Sequence, residues 1–277
     1  MKVWTQITAT LDQAPEDWSR IHDLFERHGI GGTVQSDTPP TMSGYLFEPT
    51  EDELQALTTS LREAAADVTI SEVPEEDWSE SWKQFFVPRR IGKRFVIRPT
   101  WEEFASGPDD LVIVLDPGQS FGTGDHPTTR MCLELLETLP VQGVSVADVG
   151  CGSGVLSIGA GLLGAASIHA GDIEASCVIS TLENAERNGI ALMAAESKGF
   201  DDFPPGEYDL VLSNIISAAL IRLAPETATR VKSGGSWIVS GVIDGNWPDV
   251  LEAAERAGFI LVERKQENEW TAAHFRR

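Results

Sequence analysis

The chain has 277 residues, enough for one large domain or a large domain with a small one, and its 42% hydrophobic share can fill a packed core. Forty-three acidic residues against 21 basic ones give a formal net charge of −22, which argues against direct binding to the DNA or RNA backbone. No run of about 18 apolar residues occurs and the N-terminus carries no signal-peptide core, so no membrane association and a soluble, cytoplasmic protein are expected.

Only six of the 21 basic residues are lysine. Two readings of the acidity stay open: adaptation to a saline cytoplasm, or steering of a basic protein substrate. The even spread of charge along the chain favours the first. The three cysteines, Cys132, Cys151 and Cys177, are odd in number and form no C-x-x-C pair. They suggest a reducing compartment and no metal site.

In chain order, residues 3–7 alternate as a strand, and residues 14–28 carry Trp18, Ile21, Leu24 and Phe25 at helical spacing. Short strands are expected near 32–36 and 43–47, separated by Pro39-Pro40. Thr50-Glu51-Asp52-Glu53 then caps a helix with Leu54, Leu57 and Leu61, and residues 67–73 close the module as a strand. The order βαββαβ predicts a small ferredoxin-like α+β domain over residues 1–73, of a kind that binds partners rather than performing chemistry. Residues 74–93 read as a linker helix and lead-in whose Trp78, Trp82, Phe85 and Phe86 serve packing. From Arg94 to residue 277, strands and helices alternate as in a doubly wound α/β domain, with a parallel sheet covered by helices on both faces.

Three segments of that larger domain carry chemistry. The first runs from Asp116 to Thr129, through Phe121-Gly122-Thr123-Gly124-Asp125-His126, and is dense in glycine and small hydroxyl residues just before a helix. Such loops wrap ligands. No second His or Cys stands at metal-ligand spacing from His126, so a turn-organising imidazole is expected there. The second segment is Asp148-Val149-Gly150-Cys151-Gly152-Ser153-Gly154, between the apolar strand 145–149 and a helix opening at Val155. Asp172 and Glu174 follow one βα unit later, and a carboxylate at that strand end can take both hydroxyls of a ribose. A dinucleotide fingerprint would place a third glycine at 155, where this chain has Val155. The pattern D-x-G-x-G-x-G instead resembles motif I of class I methyltransferases that use S-adenosylmethionine. The third segment, residues 208–216, is a buried strand ending in Ser213-Asn214. Asn214 either caps the following helix or faces the crevice where open α/β sheets bind ligands, and its place beside the cofactor loop favours the second role.

Taken together, Trp82-Lys83, residues 90–94, the F-G-T-G-x-H-x-T-T loop, residues 148–154 and Ser213-Asn214-Ile215 make the chain similar to the ribosomal protein L11 methyltransferase (PrmA) family. The resemblance spans most of residues 78–277. It implies a class I Rossmann-like methyltransferase domain, S-adenosylmethionine as cofactor, and cofactor contacts at Thr129, Gly150, Asp172 and Asn214, joined by Gly152, Phe121 and Gly122 of the same two loops. It further implies methylation of lysine or N-terminal amino groups of a ribosomal protein at the stalk base of the large subunit, free or ribosome-bound, by a monomer in which Asn214 is catalytic and residues 1–73 recognise the substrate. Ser213 departs from the usual alanine and Ile216 from a common leucine. Two alternatives remain: methylation of another protein lysine, such as one on an electron-transfer flavoprotein, and a non-catalytic ribosome-assembly factor.

Overall fold

A computed structural model describes residues 3–15, 18–28, 30, 33–47, 49–65, 67–74, 87–116, 124 and 126–277. The chain divides into two compact units, Met1–Phe86 and Val87–Arg277.

The first unit is built from β1 (Val3–Thr10), α1 (Ser19–Arg27), β2 (Thr33–Asp37), β3 (Pro40–Phe47), α2 (Glu51–Arg62) and β4 (Asp67–Pro74). Its strands lie in the order β2-β3-β1-β4 with antiparallel neighbours, the ferredoxin-like arrangement that the βαββαβ pattern predicts. Alternation along β1 sends Ile7 and Ala9 inward, where they meet Ile21 and Phe25 of α1 and Leu57 and Leu61 of α2. Both helical pairs are spaced i, i+4 and so share one face. At the start of α2, Thr50 and Glu53 form the reciprocal capping box read from the sequence. Helix α1 begins at Ser19, five residues later than the periodicity suggests, because the Trp18 carbonyl takes the first helical N–H groups, those of Ile21 and His22. The linker aromatics Trp78, Trp82, Phe85 and Phe86 lie outside the described residues.

The second unit opens with a small three-stranded sheet, β5 (Arg89–Ile91), β6 (Phe95–Pro99) and β7 (Leu111–Leu115). Its main sheet follows: α3 (Pro127–Glu137), β8 (Ser145–Val149), α4 (Val155–Leu162), β9 (Ser167–Asp172), α5 (Ala175–Arg187), β10 (Met193–Glu196), β11 (Tyr208–Asn214), α6 (Ser217–Arg230), β12 (Val231–Ile243), α7 (Trp247–Arg256), β13 (Ile260–Glu267) and β14 (Trp270–Arg276). The strand order is β10-β9-β8-β11-β12-β14-β13. Successive residues of β11 face opposite cores. Leu210 and Leu212 join the side covered by α3 and α4, while Val211 joins the side covered by α6 and α7. The sheet is thus doubly wound, with both faces apolar, as the near-continuous hydrophobic runs of β8 and β11 require.

The expectation of a wholly parallel sheet needs correcting. The five strands from β10 to β12 are parallel, but β14 runs antiparallel to β12 and to β13. The cause is the connection: only Asn268 and Glu269 link β13 to β14, with Asn268 at φ 52°. Two residues can reverse a chain into a hairpin, whereas a parallel neighbour needs a crossover of a dozen or more. Residues 89–115 form a separate sheet of their own.

Candidate functional site

Strand order reverses between β8 and β11. The connection from β8 leads outward to β9 on one side, and β11 lies on the other. Crevices at such a switch point, outside the carboxyl ends of the strands, are where open α/β sheets hold ligands. A cavity of about 980 Å³ opens there, bordered by Gly150, Gly152, Asp172 and Asn214.

The floor is the turn between β8 and α4. Gly150, Gly152 and Gly154 all have positive φ, at 84°, 55° and 81°, a region that residues with a Cβ avoid. Gly150 is doubly constrained, since a Cβ there would lie 2.1 Å from Cγ2 of Ile215. The N–H groups of Gly150 and Cys151 both donate to the carbonyl of Gly171, at 2.7 and 3.1 Å, pinning the turn to the end of β9. Behind it, fully buried Asp148 accepts from the N–H of Ser157 at 3.1 Å and from its hydroxyl at 2.6 Å, which ties the strand to the first turn of α4. Burial pushes the Asp148 pKa up to about 6, and its Oδ1 has no hydrogen-bond partner among the described residues. Burial likewise pushes the Cys151 thiol up, which leaves it inert. No disulfide joins the three cysteines.

Asp172 ends β9 at the cavity wall. Its Oδ2 accepts from the N–H of Gly152 at 3.0 Å and its Oδ1 from that of Glu174 at 3.1 Å. Each oxygen keeps a second lone pair, so the carboxylate is aimed by the turn and can still accept both hydroxyls of a ribose. Glu174 borders the cavity too, exposed at the N-terminus of α5.

Asn214 ends β11. It does not cap α6, whose N-cap position is Ile216 and carries no side-chain cap bond. Its Nδ2 donates to Oγ1 of Thr129 at 3.4 Å, and its buried Oδ1 has no partner among the described residues. Thr129, fully buried in the first turn of α3, therefore stands behind Asn214, while Thr128 and His126 border the cavity. His126 is the N-cap of α3. Its Nδ1 lies 2.8 Å from Oγ1 of Thr128, and its ring meets Trp270 edge-on at 4.7 Å. Burial lowers its pKa, so the imidazole is neutral and organises the turn. Phe121 and Gly122 lie outside the described residues. No group of three metal-ligating side chains occurs among the described residues.

Sequence reasoning missed two parts of the site. Gly241, near the C-terminal end of β12, has φ 83°, and a Cβ on it would meet backbone atoms of Ile215, the carbonyl oxygen at 2.3 Å. The loop carrying Ile215 is thus pressed between two glycines, Gly150 and Gly241. A lone glycine inside a run of branched apolar residues (Trp237-Ile238-Val239-Ser240-Gly241-Val242-Ile243) was the available signal. The other is the wall formed by Ile216, Ile243 and Trp270, in which the pairing of β12 with β14 sets Ile243 opposite Trp270. Ser213, a departure from the resemblance, accepts from Nε1 of Trp237 at 3.2 Å in the core.

A sequence model of the ribosomal protein L11 methyltransferase (PrmA) family matches residues 8–277. The chain belongs to that family. The ribosomal protein L11 methyltransferase of Geobacter metallireducens is 41% identical over 293 residues, covering 98% of this chain and 97% of the relative. That of Geotalea uraniireducens is 41% identical over 267 residues, covering 88% and 84%. A crystal structure of the ribosomal protein L11 methylase from Lactobacillus delbrueckii subsp. bulgaricus superimposes with a TM-score of 0.64 at 30% identity, over 69% of this chain and 97% of that one. The chain is therefore an S-adenosylmethionine-dependent methyltransferase. The cavity fits that cofactor on its own chemistry, with three glycines at positive φ in its turn, a carboxylate with spare lone pairs and a buried carboxamide oxygen that has no partner among the described residues.

Proposed function

We propose that the protein methylates amino groups of ribosomal protein L11, on lysine side chains or at the N-terminus, using S-adenosylmethionine. The observation that carries the chemistry is the Asn214 carboxamide at the cavity wall, which is oriented by Thr129 while its buried oxygen has no partner among the described residues. S-adenosylmethionine supplies a methyl group on a sulfonium. Gly150, Gly152 and Asp172 hold it at the ends of β8 and β9, and Thr129 contributes through Asn214. Phe121 and Gly122 join them by family resemblance.

The amine must arrive neutral, although a free lysine has a pKa near 10.4. An apolar, water-poor channel disfavours the ammonium form. The Asn214 oxygen accepts an amine N–H and so aims the nitrogen lone pair at the methyl carbon. Catalysis is then positioning and desolvation, with no strong general base. The family match over residues 8–277 supports L11 as the substrate. The ferredoxin-like unit, residues 1–73, recognises the protein substrate, and the enzyme works as a cytoplasmic monomer. Among the described residues no helix is long and apolar enough to cross a membrane. The test is incubation with methyl-labelled S-adenosylmethionine and either free L11 or large ribosomal subunits. Label in L11 is expected. Label in an electron-transfer flavoprotein instead, or none in any protein, overturns the reading.

A further inference from the structure

The strands divide the cavity into two halves. Neighbouring strands stand about 4.8 Å apart, and the cavity runs from Asp172 on β9, past Gly150 after β8 and Asn214 on β11, to Ile243 on β12 and Trp270 on β14. The half between Asp172 and Asn214 holds the cofactor. The half beyond Asn214 is walled by Ile216, Ile243 and Trp270, and two of these are large apolar side chains left open to solvent, Ile216 at 71% and Ile243 at 46% exposure.

This apolar wall ends at a charge. Its rim is the loop after β12, tied to the β13–β14 turn by the N–H of Asp244 donating to the carbonyl of Glu269 at 2.7 Å. Three carboxylates belong to this rim, and two are neutralised: Asp244 pairs with Arg264 and Glu267 with Arg130. Glu269 is exposed and makes no ion pair or side-chain hydrogen bond among the described residues. It lies close enough to His126, itself at the cavity wall, to act on that imidazole electrostatically.

We propose that Glu269, Ile216 and Ile243 form an acceptor gate that selects a cationic amine on an aliphatic stem. Glu269 attracts the ammonium group from solvent, and the isoleucines receive the methylene chain as the amine sheds its proton to bulk water. The neutral nitrogen then reaches Asn214. A side chain with a charged head and an apolar stem, as lysine has, matches both surfaces. A carboxylate acceptor would be repelled by Glu269, and a hydroxyl carries no charge for it to attract.

This gate rests on the amine-methylating reading, and the assay separates the two. Initial rates on L11 are measured for wild type, Glu269→Gln, an Ile216→Ser/Ile243→Ser double variant and Glu255→Gln, a charge change on α7 away from the cavity, with cofactor affinity followed by calorimetry. Glu269→Gln is expected to raise KM for the protein about fivefold or more in dilute buffer, with kcat and cofactor affinity within about twofold. The gap should close near 0.5 M salt, because an exposed charge is screened there. The double isoleucine variant should raise KM at every salt concentration, since apolar contact is not screened. Glu255→Gln should match wild type. Amine methylation by wild type with an unshifted KM in Glu269→Gln, or an equal shift in Glu255→Gln, overturns the gate alone. Absence of amine methylation by wild type overturns both readings.

Discussion

The side chains of Asn214 and Thr129, 85 residues apart in sequence, meet at 3.4 Å, with the amide nitrogen donating to the hydroxyl oxygen. The contact orients the carboxamide, whose buried oxygen has no hydrogen-bond partner among the described residues. An acceptor held this way costs stability while empty and gains its partner only when a donor arrives. Asn214→Ala should therefore leave cofactor affinity within about tenfold and lower turnover by roughly 10²-fold or more, the scale of lost orientation. Thr129→Val, which keeps the shape and removes the hydroxyl, should lower turnover by about tenfold. Single-turnover rates at saturating cofactor measure both. Near wild-type transfer in Asn214→Ala would reduce this residue to a structural part.

Asp172 has two tasks, since its oxygens accept from the N–H groups of Gly152 and Glu174 while also facing the cavity. Asp172→Ala should weaken S-adenosylmethionine binding by about 1–3 kcal/mol, the cost of losing a charged hydrogen-bond partner. It should also lower the melting temperature without cofactor, because two turn N–H groups lose their acceptor. Calorimetry and thermal unfolding of the same samples check this. Unchanged affinity with a lowered melting temperature would confine Asp172 to holding the turn.

The glycines on either side of Ile215 should tolerate a methyl group unequally. At Gly150 the obstacle is a side-chain methyl of Ile215, whereas at Gly241 it is that residue's backbone. Side chains can be shortened and backbone cannot. Ile215→Ala should therefore restore much of the cofactor binding lost in Gly150→Ala, less the cost of its positive φ, and none of that lost in Gly241→Ala. Equal rescue of both would show that the loop itself shifts.

The contrast between these two glycines also marks how far the sequence could be read. Gly150 sits in a local pattern, a strand, a glycine turn and a helix between residues 145 and 162, and Asp172 and Asn214 each end a strand that the apolar pattern reveals. The capping box at Thr50 and Glu53 is local in the same sense. Gly241 acquires its meaning only when β12 pairs beside β11 and brings the Ile215 backbone against it. The Ile243–Trp270 pair likewise depends on the hairpin whose two-residue turn made the sheet mixed. Long-range pairing decides such contacts, and composition and spacing do not encode it. Cavity-lining Asp172 and Asn214 were thus legible, whereas the wall of Ile243 and Trp270 was not.

Asp148 should give the fold a measurable pH dependence. Its ordinary pKa near 3.8 is raised to about 6 in the folded chain, chiefly by burial. Between those values the folded state binds more proton than the unfolded one, so this group's contribution to stability falls as pH rises from about 4 to 6 and stays low above that. Two pKa units correspond to roughly 3 kcal/mol at most. Asp148→Asn keeps an acceptor for Ser157 and removes the titration, so its stability relative to wild type should improve from pH 4 to pH 7. Urea midpoints at both pH values measure the difference. Parallel profiles would mean that the carboxyl titrates as if exposed.

Stability should also rise with salt, while substrate capture should not. Forty-three acids against 21 basic groups leave a self-repelling chain at neutral pH. That repulsion is long-ranged in dilute buffer, where the Debye length is about 30 Å at 0.01 M, and it shrinks to about 3 Å at 1 M. The melting temperature should therefore climb between dilute buffer and molar potassium chloride. Over the same range KM for a basic protein substrate should increase, because screening weakens the attraction that brings the two together. The two trends separate the open readings of the acidity. A rising melting temperature with a nearly flat KM assigns it to life in a saline cytoplasm. A flat melting temperature with a steeply rising KM assigns it to partner attraction, with the charge spread along the chain acting as a long-range field on a basic substrate.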